Sequence, residues 1–200
     1  MLVADVMTAP RAVLAPDTPV RRAARLFVER GAAAAPVLDE DGVLLGIVTE
    51  IDLLREGYES DPRASASPVA EPDVPLPERV ADVMTSDVVT TAENADVARL
   101  VEMMVRNRLR WVPVVRDGRV VGMVGRGDLL RLHCRPDTEV GADLRAALEA
   151  GAPYMKPWSA EVHEGVVHLA RAGATSKQRR TAANIARTVP GVSRVVFDQS

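Results

Sequence analysis

The chain has 200 residues, 47% hydrophobic and 26% charged, an ordinary globular composition with room for one or two domains and a sizeable core. Its 25 basic and 28 acidic residues leave a net charge of −3, which excludes a global field drawing it to nucleic acid or an anionic membrane; any such partner needs a local patch. Aromatics at 3% demand a core of Ala, Val, Leu and Met, the single Cys134 excludes an internal disulfide, and neither a basic, apolar leader nor a membrane-length apolar window stands out, which predicts a soluble cytoplasmic protein.

The chain opens with Val3-Ala4-Asp5-Val6-Met7-Thr8, and the same six residues return 77 positions later as Val80-Ala81-Asp82-Val83-Met84-Thr85. Within the first copy, Val13-Leu14-Ala15 reads as a short extended piece. Asp17-Thr18-Pro19 then supplies a cap and a proline at the first helical position. The helix runs to about Arg30, with Val20, Ala23, Ala24 and Phe27 at helical spacing and Gly31 as its stop. Ala34 to Leu38, a turn at Asp41-Gly42, and Val43 to Val48 form a β-hairpin, and Glu50 to Arg55 a closing helix.

Residues 58–79 are rich in proline (Pro62, Pro68, Pro72, Pro75, Pro77) and read as a solvated connector. In the second copy Asn94 caps a helix with Val97, Leu100, Val101 and Met104 on one face, and Trp111 to Val115 and Val120 to Val124 are hairpin strands. Each copy is thus β-α-β-β-α. A unit of about 55 residues lies near the lower limit for an adequate core, so the two copies are expected to pack face to face.

Gly46-Ile47-Val48-Thr49-Glu50-Ile51-Asp52-Leu53-Leu54 has its counterpart in Gly122-Met123-Val124-Gly125-Arg126-Gly127-Asp128-Leu129-Leu130. A strand feeding a helix start offers free N–H groups to a phosphate. The Thr49 hydroxyl suits a phosphate oxygen, and the Asp52 carboxylate suits two neighbouring ribose hydroxyls. In the second copy Gly125 replaces the hydroxyl, Asp128 is kept, and Arg126 is available as a substitute donor to phosphate.

These marks, together with Ala35-Pro36-Val37 and Val112-Pro113-Val114, resemble a tandem pair of CBS domains, also called a Bateman module, over residues 1–135 (repeats at 1–57 and 80–135). The resemblance implies a pseudo-twofold pair and homodimers. It also implies clefts that bind an adenosine-containing ligand (AMP, ADP, ATP or S-adenosylmethionine) in a regulatory role, with no cofactor required. The ligand residues it implies are Thr49, Asp52, Ala35 and Pro36 in the first copy and Asp128, Arg126, Val112 and Pro113 in the second. The competing reading is a constitutive dimerisation scaffold with empty clefts.

From Asp137 the pattern changes. Glu139 to Ala150 reads as an amphipathic helix with a break at Gly151-Ala152-Pro153. Trp158 to His163 and Val166 to Arg171 are strands joined at Glu164-Gly165, Ser176 caps a helix to about Val189, and Val192 to Asp198 is a last strand. This α-β-β-α-β order, with Glu164-Gly165-Val166-Val167-His168-Leu169 and the run Ile185 to Val195, resembles a BON domain over 137–200, which implies contact with phospholipid or with a protein partner. The basic cluster Lys177, Arg179 and Arg180, with Arg187 two turns on, is the candidate anionic-surface contact. His133, Cys134, His163 and His168 lack the spacing of a metal site, and no catalytic constellation appears, so a non-enzyme is expected. The expected fold class is α+β throughout.

Overall fold

The computed structural model describes residues 1–55, 77–152 and 157–198; most of the proline-rich connector and the break at Pro153 fall outside these residues. The chain is α+β and divides into two compact units, Met1–Met7 with Asn94–Arg110 and Val124–Ser200, and Thr8–Glu93 with Trp111–Met123. In chain order the elements are α1 (Val20–Arg30), β1 (Ala34–Leu38), β2 (Leu44–Thr49), α2 (Glu50–Arg55), α3 (Val80–Val83), β3 (Thr91–Ala92), α4 (Val97–Arg106), β4 (Trp111–Arg116), β5 (Arg119–Gly125), α5 (Arg126–His133), α6 (Asp137–Gly151), β6 (Ser159–His163), β7 (Val166–Ala170), α7 (Ser176–Ala186) and β8 (Arg194–Phe197).

In the first copy α1 buries Ala23 and Phe27, and Gly31 ends it in the left-handed conformation at φ +58, its N–H reaching back to the Phe27 and Val28 carbonyls. The helix start differs from expectation. Pro19 is itself the flanking residue, extended at ψ 136, and no side chain caps the helix. The Thr18 hydroxyl accepts instead from the Ala15 N–H at 3.2 Å, because a proline that still holds an extended ψ moves the first helical residue to Val20. β1 and β2 pair antiparallel with Ala35 opposite Val48 and Pro36 opposite Ile47. Asp39 closes their turn by accepting from the Asp41 and Val43 N–H groups. The short extended piece expected at Val13 to Ala15 amounts to a single parallel bridge between Leu14 and Val37. Leu14, Ala23, Phe27, Val37, Val48 and Leu53 form the centre of this core, and Phe27 is the one aromatic in it among the described residues.

The repeated hexapeptide does the same local work twice. Asp5 accepts from the Leu2 N–H at 2.8 Å and Asp82 from the Arg79 N–H at 2.9 Å, so each aspartate caps the short helical turn that contains it. Val3 and Val80 are fully buried. The partners, however, are exchanged. The Val3 N–H donates to the Ala95 carbonyl, and Thr8 pairs with Met123 of the second copy through two hydrogen bonds of 2.8 and 3.0 Å. Conversely, the Val80 N–H donates to the Thr18 carbonyl, and Thr85 pairs with Ile47 of the first copy at 2.9 and 3.0 Å. This close approach explains Gly46, where a Cβ would lie 2.7 Å from the Met84 sulfur and 3.0 Å from the Thr85 carbonyl oxygen.

In the second copy the capping residue of α4 is Asp96, which accepts from the Ala98 N–H at 2.9 Å, and not Asn94. The helix begins two residues later than expected, so the side chain that reaches its second N–H belongs to Asp96. Val97, Leu100 and Met104 are buried, whereas Val101, expected on that face, is 38% exposed.

Residues 137–198 form the α-β-β-α-β arrangement read from the sequence, with β7 central, antiparallel to β6 and parallel to β8. Val140, Leu144, Val167, Leu169, Ala182 and Ala186 fill its core. Several boundaries shift: α6 begins at Asp137 rather than Glu139, and β8 spans Arg194–Phe197 rather than Val192 to Asp198. Thr175, not Ser176, caps α7, exchanging hydrogen bonds with Gln178 in a capping box, and the helix ends at Ala186 rather than near Val189. Arg135 joins α6 to the approach of β8, donating to the Pro190 carbonyl at 2.7 Å and to Asp143 at 2.8 Å.

The hairpin at Glu164 and Gly165 has φ values of +49 and +74, the positive pair of a two-residue turn. Asp137 holds it from 27 residues away, accepting from the Gly165 N–H at 3.0 Å and the Glu164 N–H at 2.8 Å. The Gly165 hydrogen bond first, then that of Glu164, holds the Asp137 carboxyl below its ordinary value of 3.8. A carboxyl lowered in the folded state contributes stability that is present above the unfolded value and lost as pH falls through the folded one. Asp137→Asn is therefore expected to lower the unfolding temperature of this region at pH 7 and to differ less from the native protein near pH 3. Equal melting curves at pH 7 would remove Asp137 from this role.

Candidate ligand site

Thr49 is the last residue of β2, paired with Ala34, and Asp52 lies one turn into α2. Asp52 Oδ2 accepts from both the Thr49 N–H, at 2.8 Å, and the Thr49 hydroxyl, at 2.7 Å. Local sequence dictates this contact, since in a Thr-x-x-Asp stretch at a helix start the third helical residue can reach back to the residue before the helix, which is one half of a capping box. The hydroxyl expected to meet a phosphate is thus donated to the carboxylate. Two hydrogen bonds to one anionic oxygen fix its rotamer, and Asp52 stays half-buried at the surface. A carboxylate held in this way retains lone pairs for the hydroxyls of a diol.

Ala35 and Pro36 sit opposite this strand and are buried, as are Val112 and Pro113 in β4. These four residues can offer a ligand main chain, not side chains. In the second copy Asp128 Oδ2 accepts from the Gly125 N–H at 2.8 Å, and Oδ1 pairs with Arg131. Its side chain is only 5% exposed. Arg126 turns to the Leu109 carbonyl, to which its Nε donates at 2.7 Å. Arg131 was not singled out in the sequence, although its position three residues after Asp128 on a helix is the signal for such a pair.

A separate apolar groove of about 860 Å³ lies along α1 and α2, lined by Val20, Ala24, Phe27, Val28, Leu53 and Leu54, and neither Thr49 nor Asp52 belongs to it. On α7, Lys177, Arg179, Arg180 and the following Arg187 are all exposed. The guanidinium of Arg179 lies 5.7 Å from the centre of the Phe197 ring, whereas Lys177, Arg180 and Arg187, three and ten residues apart, share one side of the helix. Among the described residues no group of three or more His, Cys, Asp or Glu is placed to hold a metal ion. No helix there is long and apolar enough to cross a membrane.

Each copy thus carries a helix, two paired strands and a closing helix, with an aspartate in the first turn of that last helix. The family model for the CBS domain matches residues 3–59 and 80–134, more than half of the chain, and the chain belongs to the CBS-domain family. It is 30% identical over 151 residues to the protein MJ1426 of Methanocaldococcus jannaschii, an alignment that covers 65% of this chain and 89% of that one. Among solved structures it is similar to the CBS domain pair of protein MJ0100 in complex with 5′-methylthioadenosine and S-adenosyl-L-methionine, at 27% identity and a TM-score of 0.53, covering 66% of this chain and 94% of that chain. It is also similar to CBSX2 in complex with AMP, at 28% identity and a TM-score of 0.53, covering 65% and 93%.

Proposed function

We propose that this protein is a non-catalytic regulator that senses an adenosine-containing ligand at Thr49 and Asp52 and passes the result to its C-terminal region. The observation that carries this reading is the half-buried Asp52 carboxylate, held in place by two hydrogen bonds from Thr49. Ribose hydroxyls donate to such an oriented carboxylate. The two relatives solved with AMP and with S-adenosyl-L-methionine support the ligand class. Regulation follows when the ligand prefers one of two arrangements of the protein. The test is a thermal-shift screen with AMP, ADP, ATP and S-adenosylmethionine. Ligand at 100 times its Kd stabilises by about 2.7 kcal/mol, a readily measured shift. An unchanged midpoint with every compound at millimolar concentration would leave the constitutive scaffold as the better account.

Homodimerisation belongs to the same reading. Val28 on α1 is 84% exposed and Leu54 on α2 is 53% exposed, and the repeat places apolar residues at the matching positions of the second copy, Val105 at 71% and Leu130 at 63%. Apolar side chains standing this far into water on otherwise amphipathic helices suit an isologous contact with a second copy of the chain. Light scattering at micromolar concentration is expected to give twice the monomer mass, and Val28→Asp with Val105→Asp to give the monomer. A native monomer would count against this contact.

The C-terminal region is read as BON-like, meeting an anionic surface through Lys177, Arg180 and Arg187, with Arg179 partly engaged by Phe197. Basic residues near an anionic membrane contribute about 1 kcal/mol each, so binding is weak per chain and screened at physiological salt over roughly 8 Å. Co-sedimentation with phosphatidylserine vesicles is expected at low salt, to fall at high salt, and to fall again on changing Lys177, Arg179 and Arg180 together to Gln. Sedimentation indifferent to both would point to a protein partner instead.

A further inference from the structure

We infer that each chain takes one adenosine ligand, bound by the first copy, while the second copy keeps its cleft closed. The inference rests on the reading of Thr49 and Asp52 as the ligand site and concerns how the two copies divide that role. The same aspartate is present in both copies, but its accessibility is not the same. Asp52 is half-buried, whereas the Asp128 side chain is 5% exposed and has both oxygens engaged, one with the Gly125 N–H and the other with the Arg131 guanidinium. Both carboxylates keep spare lone pairs, so the difference is access: a diol that donates to Asp128 has to reach a side chain that is only 5% exposed and lies against the Arg131 guanidinium at Oδ1.

Two further features bear on the second cleft. Gly125 stands where Thr49 stands in the first copy, and its backbone is extended at φ −105 and ψ 162, a conformation open to any residue. Glycine is therefore not required there by the chain path, and its consequence is the absence of a hydroxyl to orient a carboxylate or meet a ligand. Arg126, the cation placed by sequence to compensate, is fastened by its Nε to the Leu109 carbonyl at 2.7 Å, so its Nη groups would have to serve a ligand from that anchored position.

Calorimetric titration of the full-length protein with AMP, and separately with S-adenosylmethionine, decides the matter from its stoichiometry. The expected result is one ligand per chain for the native protein and at least 30-fold weaker binding, with no residual tight site, for Asp52→Asn. Two native sites of comparable affinity, one of them kept by Asp52→Asn, would overturn the inference and leave the first-copy cleft standing as a ligand site; a single native site that Asp52→Asn keeps in full would overturn both. No heat with either compound, confirmed by an unshifted melting curve, would overturn the ligand reading itself and the inference with it. The native stoichiometry gives the number of sites without a variant, and Thr49→Val, which keeps the Asp52 carboxylate and is expected to weaken that one site about fivefold, assigns it to the first copy even if Asp52→Asn misfolds.

Discussion

Asp52→Ala is expected to weaken adenine-nucleotide binding by about 30- to 1000-fold. Losing two charge-assisted hydrogen bonds to ribose, discounted for the water that replaces them, costs roughly 2–4 kcal/mol, which gives that range. The same substitution also removes the acceptor for the Thr49 N–H at the start of α2. Loss of such a cap costs about 0.5–2 kcal/mol of stability. The two effects are separable, because calorimetry on folded protein reads affinity and a melting curve reads the cap. Asp52→Asn keeps an acceptor for the Thr49 N–H and drops the charge, so it is expected to melt closer to the native protein while still binding poorly. Thr49→Val, which deletes only the hydroxyl that orients the carboxylate, is expected to cost about 1 kcal/mol, or roughly fivefold. Native affinity in Asp52→Ala would remove this residue from the site.

What the sequence reveals of this molecule depends on the range of the interaction responsible. The hairpin of β1 and β2 and the stop of α1 at Gly31 were legible because strand period, turn residues and a left-handed cap are all local. Helix caps were legible by type but not by position. Asn94 and Asp96 are both good caps, and only the true first helical residue decides between them. Thr175 and Ser176 pose the same ambiguity, resolved by the reciprocal bond to Gln178.

The exchange of the two hexapeptides between copies was not legible at all. Identical openings satisfy identical partners whether they act within a copy or across to the other, and no residue type distinguishes the cases. The site shows the same division. The Thr49 and Asp52 contact spans four residues and was visible as a motif, whereas the burial of Asp128 depends on how its surroundings fold over it. The hold of Asp137 on the hairpin turn spans 27 residues in sequence, and local pattern carries no trace of it.

Leu144→Ala is expected to destabilise the C-terminal region by about 2–5 kcal/mol, the range for truncating a buried leucine that leaves a cavity behind. Leu144 is fully buried on α6, in one cluster with Val167 and Leu169 of β7 and Ala182 and Ala186 of α7, so its side chain joins the helices to the sheet. A region of about sixty residues has on the order of 3–9 kcal/mol in hand, and one truncation therefore removes a large part of it. Trp158 packs against the same cluster and reports its loss by fluorescence, once Trp111→Phe has removed the other tryptophan. In urea the midpoint of that signal should fall with little change in slope, since the surface exposed on unfolding is nearly the same. Glu149→Ala, at an exposed position on the same helix, should stay within about 0.5 kcal/mol of the parent. No residue of the Thr49 and Asp52 site belongs to this cluster, so nucleotide affinity below the transition should match the native value. An unmoved midpoint in Leu144→Ala would mean that α6 does not hold this core together.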